Sequence, residues 1–199
     1  GRHMTNPADV SWDLLQWATG RIIDRSRFAL WASACQREGI EVHGVVTTAD
    51  ETIRAQLDAV VLSAGSLWSG AMPGFGRLLP ELDRVETPIL LSSGALSSVS
   101  CEARLDGIAT VVTVRFGYDW AAADFTGSVT YHAPEAVKRY GRIERVIEAP
   151  WCPTPRQAAR LAEAHCKRLS GARWTTTVDG DRSMSDIEAG ASISTVHPL

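Results

Sequence analysis

The spacing of apolar residues changes once along this chain, near residue 80, and that change limits the folds open to it. Before that point the repeats are helical. Asn6-Pro7 is a strong helix start, with Asn as cap, Pro at the first helical position and Asp9 in the first turn. Val10, Leu14 and Trp17 form an apolar stripe, and Gly20 ends the helix. Ser26 is placed to cap a second helix reaching Glu38, with Phe28, Leu30, Trp31, Ala34 and Cys35 buried and Gly39 as its stop. Ile40 to Thr47 alternates loosely and is β-branched, which predicts a strand. Thr48-Ala49-Asp50-Glu51 is a capping box for a helix carrying Ile53, Leu57, Val60 and Val61 inward to about Gly65. Ser66 to Ser69 predicts a strand, and Gly70 to Pro80 a glycine-rich turn or loop.

After residue 80 the period is that of strands. "PILLSS", "SSVSCEAR", "ATVVTVRFGY" and "FTGSVTYH" have strand character, with turn signals between them. Ala133-Pro134-Glu135 opens a short helical turn to Tyr140, stopped by Gly141. Ile143 to Ala149 is a further strand, broken by Pro150 and Pro153. Thr154 then caps a helix with Pro155 first and Gln157 in place to complete a capping box. Ala158, Leu161, Ala162, His165 and Leu169 supply one apolar stripe, Arg156, Arg160, Glu163 and Lys167 the wet face, and Gly171 the stop. Trp174 to Val178 and Ala191 to Val196 predict closing strands. The fold class is therefore α+β. A small α/β unit over 5–80 precedes a β-rich region over 81–199, barrel- or sandwich-like, braced by a helix near 154–170.

Such a chain has enough apolar residues, 45%, to bury a core. Its formal net charge of -3 argues against nucleic acid as the main partner. The apolar runs stop short of the roughly 18 residues that a spanning helix needs. Gly1 to Met4 reads as a cloning remnant rather than a targeting signal. Seven tryptophans spread along the chain suggest core and interface anchors, not one binding cage.

The residue types that could do chemistry fail the patterns that chemistry requires. Cys35, Cys101, Cys152 and Cys166 lie far apart with no C-x-x-C, which predicts free thiols. Gly70, Gly74 and Gly76 match neither phosphate-loop spacing. His165 and Cys166 point about 100° apart on a helix and make no metal clip. A Cys35–His43 dyad lacks any local signature, and His132 merely ends a strand. There is no G-x-S-x-G elbow, so the serines of Leu91 to Ser100 read as a turn between strands. Asp119 and Asp124 read as solvated loop acids, since two carboxylates do not complete a cation site. "TTTVDGDRSMSDIEAG" misses the register of a calcium loop. No catalytic, cofactor-binding or metal-binding residue is assigned, and none of these cofactor classes is expected.

Two stretches carry a family resemblance. "NPADVSWDLLQWATG", Asn6 to Gly20, resembles the N-P-A…L-L opening of tail-tip attachment and baseplate hub proteins of long-tailed bacteriophages, the lambda-like tail tips and gene-transfer-agent hubs. Phe28, Ala34 and Cys35, then Thr48, Ile53 and Leu57, then Trp68 follow in that family's order. "RYGRIERVIEAPWCPTPRQAARLAEAHCKRL" looks like its R-Y-G-x-x-E, β-run and Q-A-x-x-L-A series, at Arg139, Tyr140, Gly141, Glu144, Gln157, Ala158, Leu161 and Ala162. Members run longer and often carry P-G-D before the last strand, where this chain has "IEAGASISTV". The resemblance thus implies a fragment, a compact relative, or a prophage or gene-transfer-agent version.

What the resemblance implies is a virion structural protein and no enzyme. It implies self-association, usually into a trimeric ring, at the distal end of the tail. The implied partners are tail tube and tape-measure proteins and fibre or receptor-binding proteins, with DNA only as passing cargo and no membrane. The protein would sit in the virion tail tip, and in the bacterial cytoplasm during assembly. Two alternatives come from other classes. One is a small cysteine or serine hydrolase whose site is assembled from distant segments. The other is an adaptor module that docks a peptidase or fibre.

Overall fold

The computed structural model describes residues 4–46, 52–68, 76–78, 89–91, 96–104, 107–171, 173–180 and 193–195. The chain is α+β. Helices α1 (Pro7–Thr19), α2 (Ala29–Glu38) and α3 (Ile53–Ser63) come first, followed by strands β1 (Ser66–Trp68) and β2 (Gly76–Leu78), which pair antiparallel. Then come β3 (Ile89–Leu91), β4 (Leu96–Arg104), β5 (Val111–Asp119), β6 (Asp124–His132), α4 (Pro134–Tyr140), β7 (Glu144–Ala149), α5 (Pro155–Leu169), β8 (Arg173–Gly180) and β9 (Ile193–Thr195). β3 pairs parallel with β9, and β4 antiparallel with β8. β6, β5 and β7 form a mixed sheet with β5 in the middle, antiparallel to β6 and parallel to β7. The described ladders are open, and they do not close into a barrel.

Local chemistry sets the helix ends. The Asn6 side chain accepts from the Ala8 amide at 3.0 Å, and its Nδ2 donates to Ala32 O at 3.1 Å, tying α1 to α2. Gly39 closes α2 at φ +63°, a left-handed conformation that glycine adopts without a Cβ penalty. The second helix differs from expectation at its start. A 3₁₀ turn, Arg25–Phe28, leads into α2, and its cap is Asp24, whose carboxylate accepts from Ser26 N at 2.9 Å. Leu30 is 78% exposed while Phe28, Trp31, Ala34 and Cys35 are buried, because at about 100° per residue Leu30 falls off the face that Trp31, Ala34 and Cys35 share. Thr48 and Glu51 lie outside the described residues, and α3 is capped by Thr52, which accepts from Ala55 N at 3.2 Å. Gly76 to Leu78, expected as loop, is strand β2. Residues 69–75, 79–80 and 181–192 also lie outside the described set, and with them Gly70, Gly74, most of the proposed acidic loop and the start of the last predicted strand.

Two apolar cores form. The first gathers Ala8, Val10 and Leu14 of α1, Phe28, Trp31, Ala34 and Cys35, then Val42, Leu57, Val60, Val61 and Ala64. The second lies between α5 and one face of the three-stranded sheet. It holds Val112, Val114, Ile147 and Ala149 from the strands and Ala158, Leu161, Ala162, Cys166 and Leu169 from the helix. The proline-marked corner joins them: Trp151 is buried in the first core and its neighbour Cys152 in the second. The corner's backbone is satisfied on every side. Trp151 N donates to Ser63 Oγ at 3.2 Å, His43 N to Trp151 O at 3.0 Å, Cys152 N to Ala149 O at 3.0 Å and Gly117 N to Cys152 O at 2.9 Å. The Trp151 indole lies so close to Gly44 that a Cβ there would overlap the ring.

Gln157 departs from its expected capping role. Thr154 does accept from Gln157 N at 3.3 Å, but the Gln157 amide turns away from the cap. Its Oε1 accepts from Glu41 N at 3.2 Å, and its Nε2 donates to Glu41 O at 2.9 Å and to Ser63 O at 3.0 Å. This corrects the strand predicted over Ile40 to Thr47. Residues 40–46 join no ladder, and at Glu41 a side-chain amide takes the place of a partner strand. Val42 N finds Thr5 O at 2.8 Å instead.

Two substitutions test this packing. Leu161 is 3% exposed, so Leu161→Ala should cost about 2–5 kcal/mol in urea unfolding. A loss near zero would mean that this helix face is not buried. Gln157→Glu keeps the shape but sets a carboxylate against two carbonyl oxygens. It should destabilise by at least about 2 kcal/mol at neutral pH, and less in acid, where the protonated carboxyl regains a donor. Denaturant midpoints of the variant at both pH values, against the parent chain, check the sign.

Candidate docking surfaces

The side chains that could carry chemistry are dispersed over the described residues. Cys35, Cys152 and Cys166 are in no disulfide and are buried. Burial pushes the Cys152 thiol from 9.0 up to about 11, partly offset by a backbone hydrogen bond at Thr154. The Cys166 thiol is also raised by burial, offset by backbone hydrogen bonds at Ala133 and Val112, and its Sγ lies 3.5 Å from Thr110 O. A thiol held protonated is a poor nucleophile. The first half of the Cys35–His43 pair is fully buried, while the His43 imidazole is half-exposed, 3.6 Å from the Glu41 carboxylate. His165 is half-buried on α5 and His132 is exposed at the end of β6. Among the described residues no group of three or more His, Cys, Asp or Glu could hold a metal ion.

The acids of "YDWAAADF" are placed differently from the solvated loop expected. Asp119 and Asp124 end β5 and β6 directly opposite one another, across a hairpin turn of residues 120–123. Like charges so placed repel, and each is balanced locally. Asp119 accepts from the amides of Ala121 and Ala122 at 2.9 and 3.2 Å, and Asp124 pairs with Arg115 at 2.9 Å. From the serine-rich segment, Ser98 lies on β4 and donates to the Asp179 carboxylate across the ladder to β8.

What remains is surface. The sheet face turned away from α5 carries Thr113 and Arg115 of β5, Ser128 and Thr130 of β6, and Val146 and Glu148 of β7, as the strand register dictates. The hydroxyls of Thr113 and Thr130 meet at 2.8 Å. Arg115 sits between Asp124 and Glu148, at 2.9 and 3.1 Å, with its guanidinium 4.5 Å from the centre of the Phe125 ring. Val146 is 60% exposed in the middle of β7. Among the described strands, neither β6 nor β7 has a partner on its outer edge. Next to the hairpin, Phe125, Tyr118, Trp120 and Trp151 touch in series, edge to face, with centroids 5.0, 4.9 and 6.0 Å apart. This run of rings links the sheet's end to the first core. Beyond the count of tryptophans it was not legible in the sequence, because it depends on which strand residues face the turn.

The described residues contain no helix long and apolar enough to cross a membrane. No family model matches the chain, and no curated protein matches it. Among solved structures it is similar to the prophage tail protein gp18 from Listeria monocytogenes EGD-e, at 11% identity and a TM-score of 0.43. That match covers 70% of this chain and 42% of the other, so the chain spans less than half of that protein's length.

The thiol environment gives a pH prediction. The folded state holds the Cys152 proton more tightly than the unfolded state does. Its contribution is therefore complete below pH 9.0 and is lost as pH rises towards about 11. Urea midpoints at about pH 8 and about pH 10.5 should fall further for the parent chain than for Cys152→Ala. Equal falls would mean that the thiol ionises as freely folded as unfolded.

Proposed function

We propose that this chain is a structural component of a phage-like tail tip or baseplate hub, and that it works by docking rather than by catalysis. The observation that carries the reading is the ordered pair of sequence stretches, Asn6 to Gly20 and Arg139 to Leu169, together with the work their residues do. Asn6 ties α1 to α2, Gln157 ties α5 to Glu41 and Ser63, and Leu161 and Ala162 fill the second core. Residues that resemble a hub family's motifs thus pack the two cores and leave one face of the sheet open.

In this reading the open β6-β5-β7 sheet meets neighbouring subunits and the tail tube. Its polar face, with Val146 exposed on the outer strand β7, suits contacts that form in water and are then buried. The head-to-tail meeting of two different edges, β6 on one copy and β7 on the next, closes into a ring when the rotation permits. A trimeric ring, contacts with tube, tape-measure and fibre proteins, passage of DNA through the lumen and residence in the virion all belong to this proposal.

Light scattering after size-exclusion chromatography tests it. The expected result is a concentration-dependent rise from one-chain to three-chain mass. Val146→Asp should hold the chain at one-chain mass without moving its melting temperature, since the residue is solvent-facing in the isolated chain. A mass that stays monomeric at the highest soluble concentration, or a Val146→Asp variant that assembles as readily as the parent, would overturn the self-assembly part of the reading.

A further inference from the structure

The hydrogen bonds around β5 fix which backbone groups the two outer edges of the sheet offer. Val111 N donates to Ile143 O and Gly117 N to Cys152 O, so the odd residues of β5 turn their peptide groups towards β7. Ala133 N donates to Thr110 O, so the even ones turn towards β6. Peptide groups alternate in this way along a strand. The register then commits the odd residues of β6 and β7 to β5. It leaves the N–H and C=O groups of Thr126, Ser128 and Thr130 pointing outward on one edge, and those of Glu144, Val146 and Glu148 on the other. All of these residues are exposed, and their side chains share the face turned away from α5. Neither strand carries a proline or a bulge, two devices that block the addition of a further strand.

We infer that β6 of one copy pairs antiparallel with β7 of a second copy, with Thr130 directly opposite Val146 of the second copy. This joint belongs to the ring proposed above and rests on that reading. β6 runs against β5 and β7 runs with it, so rotation about a ring axis brings β7 of the next copy antiparallel to β6. Some registers pair every outward residue of β7 with an outward residue of β6. One of them sets Asp124 against Glu148 of the next copy, and like charges directly opposite repel. Arg115 does not cancel them, because each copy's single guanidinium is shared by both of its acids. Another sets Thr130 against Glu144, although the Thr130 hydroxyl is already bonded to Thr113, and sets Ser128 against Val146. The remaining one sets Ser128 against Glu148, Thr130 against Val146 and His132 against Glu144. Glu144 and Glu148 keep their own arginines, Arg142 and Arg115, and a carboxylate has room for the further hydroxyl or imidazole donor. Val146 meets a β-branched side chain. Like edges fit less well. Two β7 edges paired about Val146 set Glu144 against Glu148 twice. Two β6 edges can pair about Ser128, but they leave Val146, 60% exposed, and its edge bare.

Cysteine pairs read the register. Ser128→Cys, Thr126→Cys and Asp124→Cys are each combined with Glu148→Cys in the whole chain. Within one copy β5 separates the two new thiols by at least about 10 Å, twice the strand spacing, and a disulfide spans no more than about 7 Å between Cα atoms. Any bond between them therefore joins two copies. Oxidation is carried out at a concentration where light scattering shows that the parent chain assembles, and the parent oxidised alongside accounts for the native thiols. Matching thermal melts establish that the variants fold. On a non-reducing gel the Ser128→Cys pair should give two-chain and three-chain bands, and the Thr126→Cys and Asp124→Cys pairs little above the parent. Stronger bands from either of those pairs would overturn the joint. So would a two-chain band from Ser128→Cys alone, which reports two β6 edges together, or no bands from any pair while the parent assembles. A parent chain that never assembles would overturn the ring reading itself, and the joint with it.

Discussion

One side-chain amide holds this structure's two halves in register. Gln157 offers an acceptor and a donor to the same residue, Glu41, in the manner of a neighbouring strand, and spends its second donor on Ser63. The first residue of that set lies in an extended segment beside the helical core, the last at the end of α3, and Gln157 itself on the helix that covers the sheet. Each bond adds only about 0.5–1.5 kcal/mol net. Leaving the buried Ser63 carbonyl without a partner would cost more than forming that bond gains. That asymmetry makes the register specific, and it explains why a glutamine occupies a position that is 8% exposed.

The tryptophan–cysteine corner applies the same constraint through packing. The chain turns here, with Cys152 N donating to Ala149 O, and the two-residue step between prolines feeds two cores at once. Trp151 enters one and Cys152 the other. Neither core can shift relative to the other without withdrawing a large ring from beside Gly44 or a thiol from beneath α5. The thiol at this corner is therefore a small apolar filler, and its raised pKa follows from that setting.

The regular elements were legible in the sequence, because caps and periodic stripes are local. Asn6-Pro7, Thr154-Pro155 and the alternation across residues 111–132 each place an element within a residue or two of where it lies. The misreadings share a cause: tertiary partners replaced local ones. The segment after Gly39 has strand composition but meets a side chain and two isolated carbonyl partners, so no ladder forms. Leu30 is the exception within the second helix, since it lies off the face that Trp31, Ala34 and Cys35 bury. Asp119 and Asp124 looked like loop acids because nothing in the sequence states that they end paired strands. The sheet's outer edges were least legible of all. The runs over 125–132 and 143–149 read as two strands among several, and only the fold sets them on either side of β5.

The parallel pairing of β5 with β7 has a mechanical consequence. The outer strand β7 runs straight into the Pro150–Pro153 corner and then into α5. Tension applied along that strand would load the whole six-residue ladder and the corner's hydrogen bonds together, in shear, instead of peeling them apart one by one. A hairpin pulled open at its free ends offers no such sharing. A chain built this way can bear a pull along that strand while its hydrogen bonds take the strain collectively.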